Sequence, residues 1–83
     1  MKETYTITAF SEHHISLLNR ITIIFTRRQV NIETLTVSQS AIQGIHKFTI
    51  VVNETMERVE KVVKQIEKQV EVLKAFYHPD SEI

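Results

Sequence analysis

The fold of this chain is decided by the stretch Phe25-Thr26-Arg27-Arg28-Gln29-Val30-Asn31-Ile32-Glu33-Thr34-Leu35-Thr36-Val37. Its first residues complete an apolar stripe that begins at Ile15 and has the helical spacings of three and four. From Asn31 onward the pattern changes to the alternation of a strand, rich in residues that favour β structure. The stretch therefore predicts the end of an amphipathic helix, a turn of one or two residues and the start of a strand.

Outward from this stretch, the same two patterns predict the rest of the chain. The predicted elements are strand one at Thr4–Phe10, helix one at about 14–28, strand two at Asn31–Ser38, strand three at Ile45–Val52, helix two at about 55–68 and strand four at Val70–Tyr77. Residues 38–44, with Gly44 near the end, predict a hairpin connection between strands two and three.

The alternation also assigns side chains to the two faces of the sheet. Strand three is predicted to be central because it is dense in apolar residues. The predicted shared faces are Ile32 with Thr34 and Thr36 in strand two, Phe48 with Ile50 and Val52 in strand three, and Leu73 with Ala75 and Tyr77 in strand four.

Helix two is predicted to begin at a polar cap, either Asn53 or Thr55, whose side chain accepts from a free backbone amide. Its predicted apolar stripe comprises Met56, Val59, Val62, Val63, Ile66 and Val70. Glu54 and Arg58 are expected to pair at i,i+4 on the outer face of the helix.

The order βαββαβ predicts an α+β, ferredoxin-like fold. Right-handed crossovers place both helices on one face of a four-stranded antiparallel sheet. Strands one and three are then central and strands two and four are edges. The bare sheet face and the open edges favour pairing with a second copy.

Composition restricts the class of protein. The chain has 83 residues, which we read as a single domain 1–83, with a core at about 4–78 and a polar tail at 79–83. Ten basic and ten acidic residues balance, so charge does not favour binding to nucleic acid or to an anionic membrane. The chain has no cysteine, no apolar run of membrane-spanning length and no apparent signal peptide, so we expect a cytoplasmic location.

No catalytic or metal-binding motif is apparent. None of the histidines His13, His14, His46 and His78 stands in a recognisable motif with a serine or carboxylate, so we predict neither enzymatic activity nor a metal site. The free amides near Ile15, Ser16 and Leu17, at the positive end of helix one, are suited to binding a carboxylate.

The opening stretch also carries a family resemblance. Phe25, Arg28 and Asn31–Val37 closely resemble the ACT domain of the small, regulatory subunit of acetolactate synthase (acetohydroxyacid synthase), which reads Phe-Ser-x-Arg-Gly-Tyr-Asn-Ile-Glu-Ser-Leu-Thr-Val. The similarity extends over about residues 4–78 and includes 44–50 and 63–68. The family's fold is the βαββαβ arrangement predicted above.

The resemblance implies a non-catalytic subunit without a cofactor of its own. Such subunits bind the large subunit of acetolactate synthase, raise its activity and make it sensitive to branched-chain amino acids, chiefly valine. Thiamine diphosphate, FAD and magnesium belong to that large subunit. Two ACT domains pair as a homodimer through helix one and strand two, and the amino acid binds at their interface.

Carried over by position, the resemblance implies an effector site formed by Asn31 and Ile32 of one copy and by the loop before helix one of the other. In this chain that loop supplies His13, Ile15, Ser16 and Leu17. It departs from the family pattern Asn-x-x-Gly-x-Leu-Ser-Arg, which has asparagine, glycine and serine where His13, Ser16 and Asn19 stand here.

Two alternatives remain at this point. An amide side chain both donates to a carboxylate and accepts from an ammonium group, but Asn31 also suits a turn. The chain is therefore also compatible with a free-standing ACT module that senses an amino acid for another protein. It is equally compatible with a ferredoxin-like interaction module whose effector site has decayed at His13 and Ser16.

Gln29 replaces the family's glycine after helix one, where a left-handed backbone would cost about 1 kcal/mol.

Overall fold

The computed structural model describes residues 1–12 and 14–80. The elements in chain order are β1 (Glu3–Ser11), α1 (His14–Arg27), β2 (Ile32–Gln39), β3 (His46–Glu54), α2 (Met56–Glu67) and β4 (Val72–Pro79). The strands form one antiparallel sheet in the order β2-β3-β1-β4. The predicted ferredoxin-like fold is confirmed, with β1 and β3 in the centre and β2 and β4 at the edges.

The core lies between the sheet and the two helices. Phe48, Ile50 and Val52 of β3 are fully buried, which confirms their predicted shared face. The helices contribute Leu17, Ile21, Ile24 and Phe25 from α1 and Val59, Val62, Val63 and Ile66 from α2. None of the described helices is long and apolar enough to cross a membrane.

Three predicted members of the helical stripes are exposed instead. Ile15 in the first turn of α1 is 69% exposed, and Met56 at the first position of α2 is 56% exposed. Val70 is 95% exposed because α2 ends at Glu67 and Val70 lies in the turn before β4. The predicted burial of the two apolar stripes was therefore wrong at their ends, where the helix does not continue over the sheet.

A register shift at the start of β2 changes the predicted faces of that strand. Ile32 is registered with Val52, but Thr34 is registered with the adjacent residue Val51. The extra residue, Glu33, reverses the alternation, as a β-bulge does. Ile32 therefore packs against the core on the same side as Leu35 and Val37, and its predicted face, shared with Thr34 and Thr36, was wrong.

A second register shift alters β4. Phe10 is registered with Lys74 and Ser11 with Val72, so Leu73 is the additional residue. Val72 packs against the core, whereas Leu73 is 57% exposed. The predicted face of Ala75 and Tyr77 is confirmed, but Leu73 does not belong to it.

The start of α2 decides between the two predicted N-cap residues and corrects the predicted position of Glu54. Thr55 is the N-cap, and its hydroxyl accepts from the amide of Arg58 at 3.4 Å. Glu54 is buried rather than on the outer face, because it is the last core-facing residue of β3. Its carboxylate accepts from the Thr55 amide at 3.0 Å and lies 3.7 Å from Arg58 and 3.9 Å from Lys2.

The predicted polar tail begins inside the fold. Pro79 belongs to β4, and the Asp80 carboxylate accepts a hydrogen bond from the Thr6 hydroxyl at 2.7 Å. Residues 81–83 of the predicted tail lie outside the described residues.

Candidate effector site

The site near Asn31 is shaped by the way α1 ends. Gln29 has a φ of 57°, in the left-handed region. Its amide donates to the carbonyl of Thr26 at 3.1 Å, and the amide of Val30 donates to the carbonyl of Phe25 at 2.9 Å. These two bonds form a Schellman motif, in which the buried side chains of Phe25 and Val30 provide the usual apolar contact. The motif turns the chain sharply from α1 into β2.

A surface groove lies in this corner. It has a volume of about 460 Å³ and is lined by Thr22, Phe25, Thr26, Gln29, Val30, Asn31 and Ile32. The hydroxyls of Thr22 and Thr26 donate to the carbonyls four residues earlier, at 3.1 and 2.7 Å. Each hydroxyl oxygen retains acceptor capacity toward the groove. The groove is therefore apolar at its base and polar along the α1 wall.

Asn31 and Ile32 occupy the β2 wall of this groove, where the sequence placed them. Asn31 is exposed, and its side-chain amide makes no hydrogen bond to another described residue. Ile32 is half-buried and packs on the core. An unbonded amide beside an apolar wall is a suitable arrangement for the polar head and the side chain of an amino acid.

The other predicted half of the site lies at the start of α1. Ile15 and Ser16 are exposed there, whereas the side chain of Leu17 is fully buried in the core. Leu17 therefore has only its backbone amide to offer a ligand. The first turn of α1 contains no acidic residue that would oppose a bound carboxylate. His13 lies outside the described residues.

The structure does not bring these two halves together within one protomer. α1 has 14 residues and is therefore about 20 Å long. Ile15 and Ser16 are at its first turn and the Asn31 groove is at its last turn. A single amino acid does not span that distance, so a site that uses both halves requires a second copy.

The exposed edge of β2 runs beside the groove. β2 is hydrogen-bonded to β3 on one side, and no described strand covers the other side. Such an edge has unpaired backbone donors and acceptors and readily pairs with another strand. Within the described residues, no three His, Asp or Glu side chains are grouped to hold a metal ion.

A ferredoxin-like fold with an open β2 edge and a groove at the end of α1 has the architecture of an ACT domain. The ACT domain of a GTP pyrophosphokinase from Chlorobium tepidum superimposes with a TM-score of 0.76 at 16% identity, over 94% of this chain and all of that chain. The chain belongs to the AHAS small subunit-like ACT domain family, whose sequence profile matches residues 7–74.

Relatives support this family assignment. The acetolactate synthase small subunit of Bacillus subtilis is 41% identical over 75 residues, which is 89% of this chain and 42% of the relative. A probable acetolactate synthase small subunit of Methanothermobacter thermautotrophicus is 38% identical over 72 residues, 87% of this chain and 43% of the relative. The crystal structure of the small subunit from Thermotoga maritima has a TM-score of 0.78 at 26% identity, covering 93% of this chain and 47% of that chain. The chain thus spans about half the length of these relatives.

The sequence reasoning missed the α1 wall of the groove. Thr22 and Thr26 are spaced i,i+4 and precede the turn, so helical spacing alone could have placed them on the side facing β2. A second feature, an exposed apolar cluster at one corner of the sheet, had no sequence signal because it depends on the bulge at Leu73.

Proposed function

We propose that this chain is the ACT domain of a non-catalytic regulatory subunit of acetolactate synthase. The observation that carries the proposal is the family match over residues 7–74, which includes the Asn31–Val37 run. Relatives described as acetolactate synthase small subunits share 38–41% of their aligned residues with it. The proposed partner is the catalytic subunit of that enzyme, which holds the thiamine diphosphate, and the proposed location is the cytoplasm.

Regulation is proposed to operate through a homodimer. Two copies pair along β2 and α1, which extends the sheet across the pair. The Asn31 groove of one copy then faces the start of α1 in the other, and a branched-chain amino acid such as valine binds between them. The arrangement is supported by the open β2 edge and by the 14-residue helix that separates the two halves of the site.

Reconstitution with the catalytic subunit encoded by the same genome tests the regulatory role. We expect the two chains to co-elute and the synthase activity to rise on mixing. If the chains neither co-elute nor alter the activity, the chain is not a regulatory subunit of this enzyme. Binding of an amino acid without any response of the synthase would indicate a free-standing sensor instead.

The effector site is tested by calorimetry with valine, leucine and isoleucine. We expect Asn31→Ala to weaken binding at least about tenfold, because it removes hydrogen bonds to charged groups of the ligand. Gln43→Ala is the control, since Gln43 also has an exposed side-chain amide but lies in the β2–β3 connection, at the opposite end of β2 from the groove. Equal losses in the two variants, or none in either, would remove Asn31 from the site.

Wild-type protein that binds none of the three amino acids would favour a decayed site. In that case the double substitution His13→Asn and Ser16→Gly restores the residues of the family pattern. Recovery of valine binding by this variant would locate the loss in the loop before α1.

A further inference from the structure

An apolar cluster occupies one corner of the sheet face opposite the helices. Its members are Phe10, Ala41, Ile42, Ile45 and Leu73, and we refer to them as the Phe10 corner. They line a groove of about 330 Å³. Ile42 is 68% exposed and Leu73 is 57% exposed. Contiguous exposed apolar side chains of this size on a small domain mark an interaction surface more often than scattered single residues do.

The exposure of Leu73 results from the backbone and not from simple alternation. The bulge between Phe10 and Ser11 inserts Leu73 as an additional residue in β4 and gives its place in the core to Val72. Bulges commonly re-aim a side chain at a functional surface. Turning a leucine out of the core gives up the free energy of burying it. A partner that covers Leu73 would restore that burial.

The charges around the Phe10 corner restrict the chemistry of a partner that covers it. Lys47 and Lys74 are registered with Phe10 on its two sides and share its face of the sheet. The Lys74 ammonium also lies 5.3 Å from the centre of the Phe76 ring. The described rows of this face that cross all four strands contain no Asp or Glu, and are Thr34–Val51–Thr6–His78, Thr36–Thr49–Thr8–Phe76 and Ser38–Lys47–Phe10–Lys74. The carboxylate of Asp80 does reach this face, where it accepts a hydrogen bond from Thr6, two rows from the corner. The corner is therefore apolar at its centre and cationic at its rim.

This charge pattern argues against a second copy as the occupant. Two copies packed corner to corner would bring Lys47 and Lys74 of each copy near those of the other, and the Asp80 carboxylate, bonded to Thr6 two rows away, would not lie between them. Like charges brought together at an interface oppose association. A partner with apolar side chains flanked by carboxylates complements the corner in both respects.

We infer that the Phe10 corner is the surface that docks onto the catalytic subunit, where it receives an apolar segment flanked by acidic residues. This inference rests on the proposed function. It assigns catalytic-subunit docking to the face opposite the helices, whereas the effector groove and the dimer edge lie at the end of α1 and along β2. One chain can then bind all three ligands without overlap.

The test is the affinity of the chain for the catalytic subunit encoded by the same genome, measured by titration calorimetry. We expect Ile42→Asp to weaken binding at least about tenfold, because an exposed anchor becomes a charge that repels carboxylates. Lys74→Glu should weaken binding by a similar factor, and the loss should shrink at high salt. Far-ultraviolet circular dichroism checks that each variant is folded.

Two controls match these substitutions. Met56→Asp changes an apolar side chain of similar exposure at the start of α2, where an acidic residue is favoured by the helix dipole. Lys64→Glu reverses a charge on the exposed side of α2. Both controls should bind the catalytic subunit within about twofold of wild type.

Three outcomes would overturn the inference. If wild type binds but Ile42→Asp and Lys74→Glu bind equally well, the corner is not the docking surface, while the proposed function stands. If Ile42→Asp dissociates a self-associated form of the chain and leaves its affinity for the catalytic subunit unchanged, the occupant is a second copy. If wild type does not bind the catalytic subunit at all, the proposed function fails together with this inference.

Discussion

Gln29 carries a local backbone strain at the end of α1. Its φ of 57° is a conformation that side chains other than glycine adopt at a cost. We expect Gln29→Gly to raise the free energy of unfolding by about 1 kcal/mol, because glycine relieves that cost while keeping the Schellman bonds. Urea denaturation measures the change.

Gln43→Gly is the control for this substitution. Gln43 lies in the β2–β3 connection and does not have a positive φ. Glycine there adds only conformational freedom to the unfolded chain and should lower the stability by about 0.5 kcal/mol. A gain at position 43 equal to that at position 29 would show that the left-handed backbone is not the cause.

Tyr77 provides a prediction for high pH. Its hydroxyl donates to the Glu60 carboxylate at 3.2 Å, and its ring packs edge-on against Tyr5 with centroids 5.8 Å apart. Burial, then the hydrogen bond to Glu60 and the charge of Glu60, raise the pKa of Tyr77 above its ordinary value of 10.0. The unfolded chain therefore releases this proton at a lower pH than the folded chain does.

The stability contributed by protonated Tyr77 is fully present below pH 10 and is lost as the pH rises through the raised pKa. We expect the free energy of unfolding to fall more steeply above pH 10 in wild type than in Tyr77→Phe, as measured by urea denaturation at a series of pH values. Glu60→Gln should show an intermediate slope, since it removes the charge and keeps an acceptor. Parallel curves for wild type and Tyr77→Phe would contradict the assignment.

Single residues also show how far the site could be predicted. Asn31 and Ile32 line the groove at the end of α1 because they follow directly from a helix end that sequence spacing locates well, and their role in binding an effector stays a prediction. Leu17 was included for its amide, but its side chain belongs to the core. Whether the start of α1 joins the site depends on a second chain, and local sequence patterns carry no information about contacts between copies.

At the scale of elements, periodicity predicted all six helices and strands, with bounds that differ by at most two residues. Within the alternation of the predicted strands, the errors in side-chain facing are confined to the first residues of the two edge strands. Both arise from β-bulges, at Glu33 and at Leu73. A bulge is set by how a strand registers with its neighbour, here β3 or β1, and that pairing is distant in sequence. The internal strands lack such shifts with each other, so their alternation could be read correctly.

At the scale of the whole molecule, a domain this small gains stability from association. A chain of about 60 residues buries only about 60% of its unfolded surface on folding, and one of 83 residues buries little more. The open β2 edge offers backbone hydrogen bonds to a second copy. Thr22 and Thr26 of α1 line the groove beside this edge. Dimer formation would thus add burial where the protomer leaves an edge unpaired.

The proposed dimer predicts the dimensions of the protein in solution. The Cα radius of gyration of one protomer is 12.0 Å. Joining two four-stranded sheets at β2 moves each protomer centre about 10 Å from the centre of the pair, at about 4.8 Å per strand, and raises the radius to about 15 Å. Small-angle scattering over a concentration series should therefore show about 15 Å at high concentration.

Thr22→Arg places a long charged side chain at the proposed seam, and this variant should stay near the protomer value of 12.0 Å. Arginine favours helices, so α1 should remain folded. Glu67→Arg is the control because Glu67 is an exposed residue at the end of α2, a helix that packs over β4 and β1 and not over the β2 edge. It should dimerise as wild type does. Wild type that scatters as a single protomer at every concentration would contradict pairing through β2, and an effector site shared between two copies would fail with it.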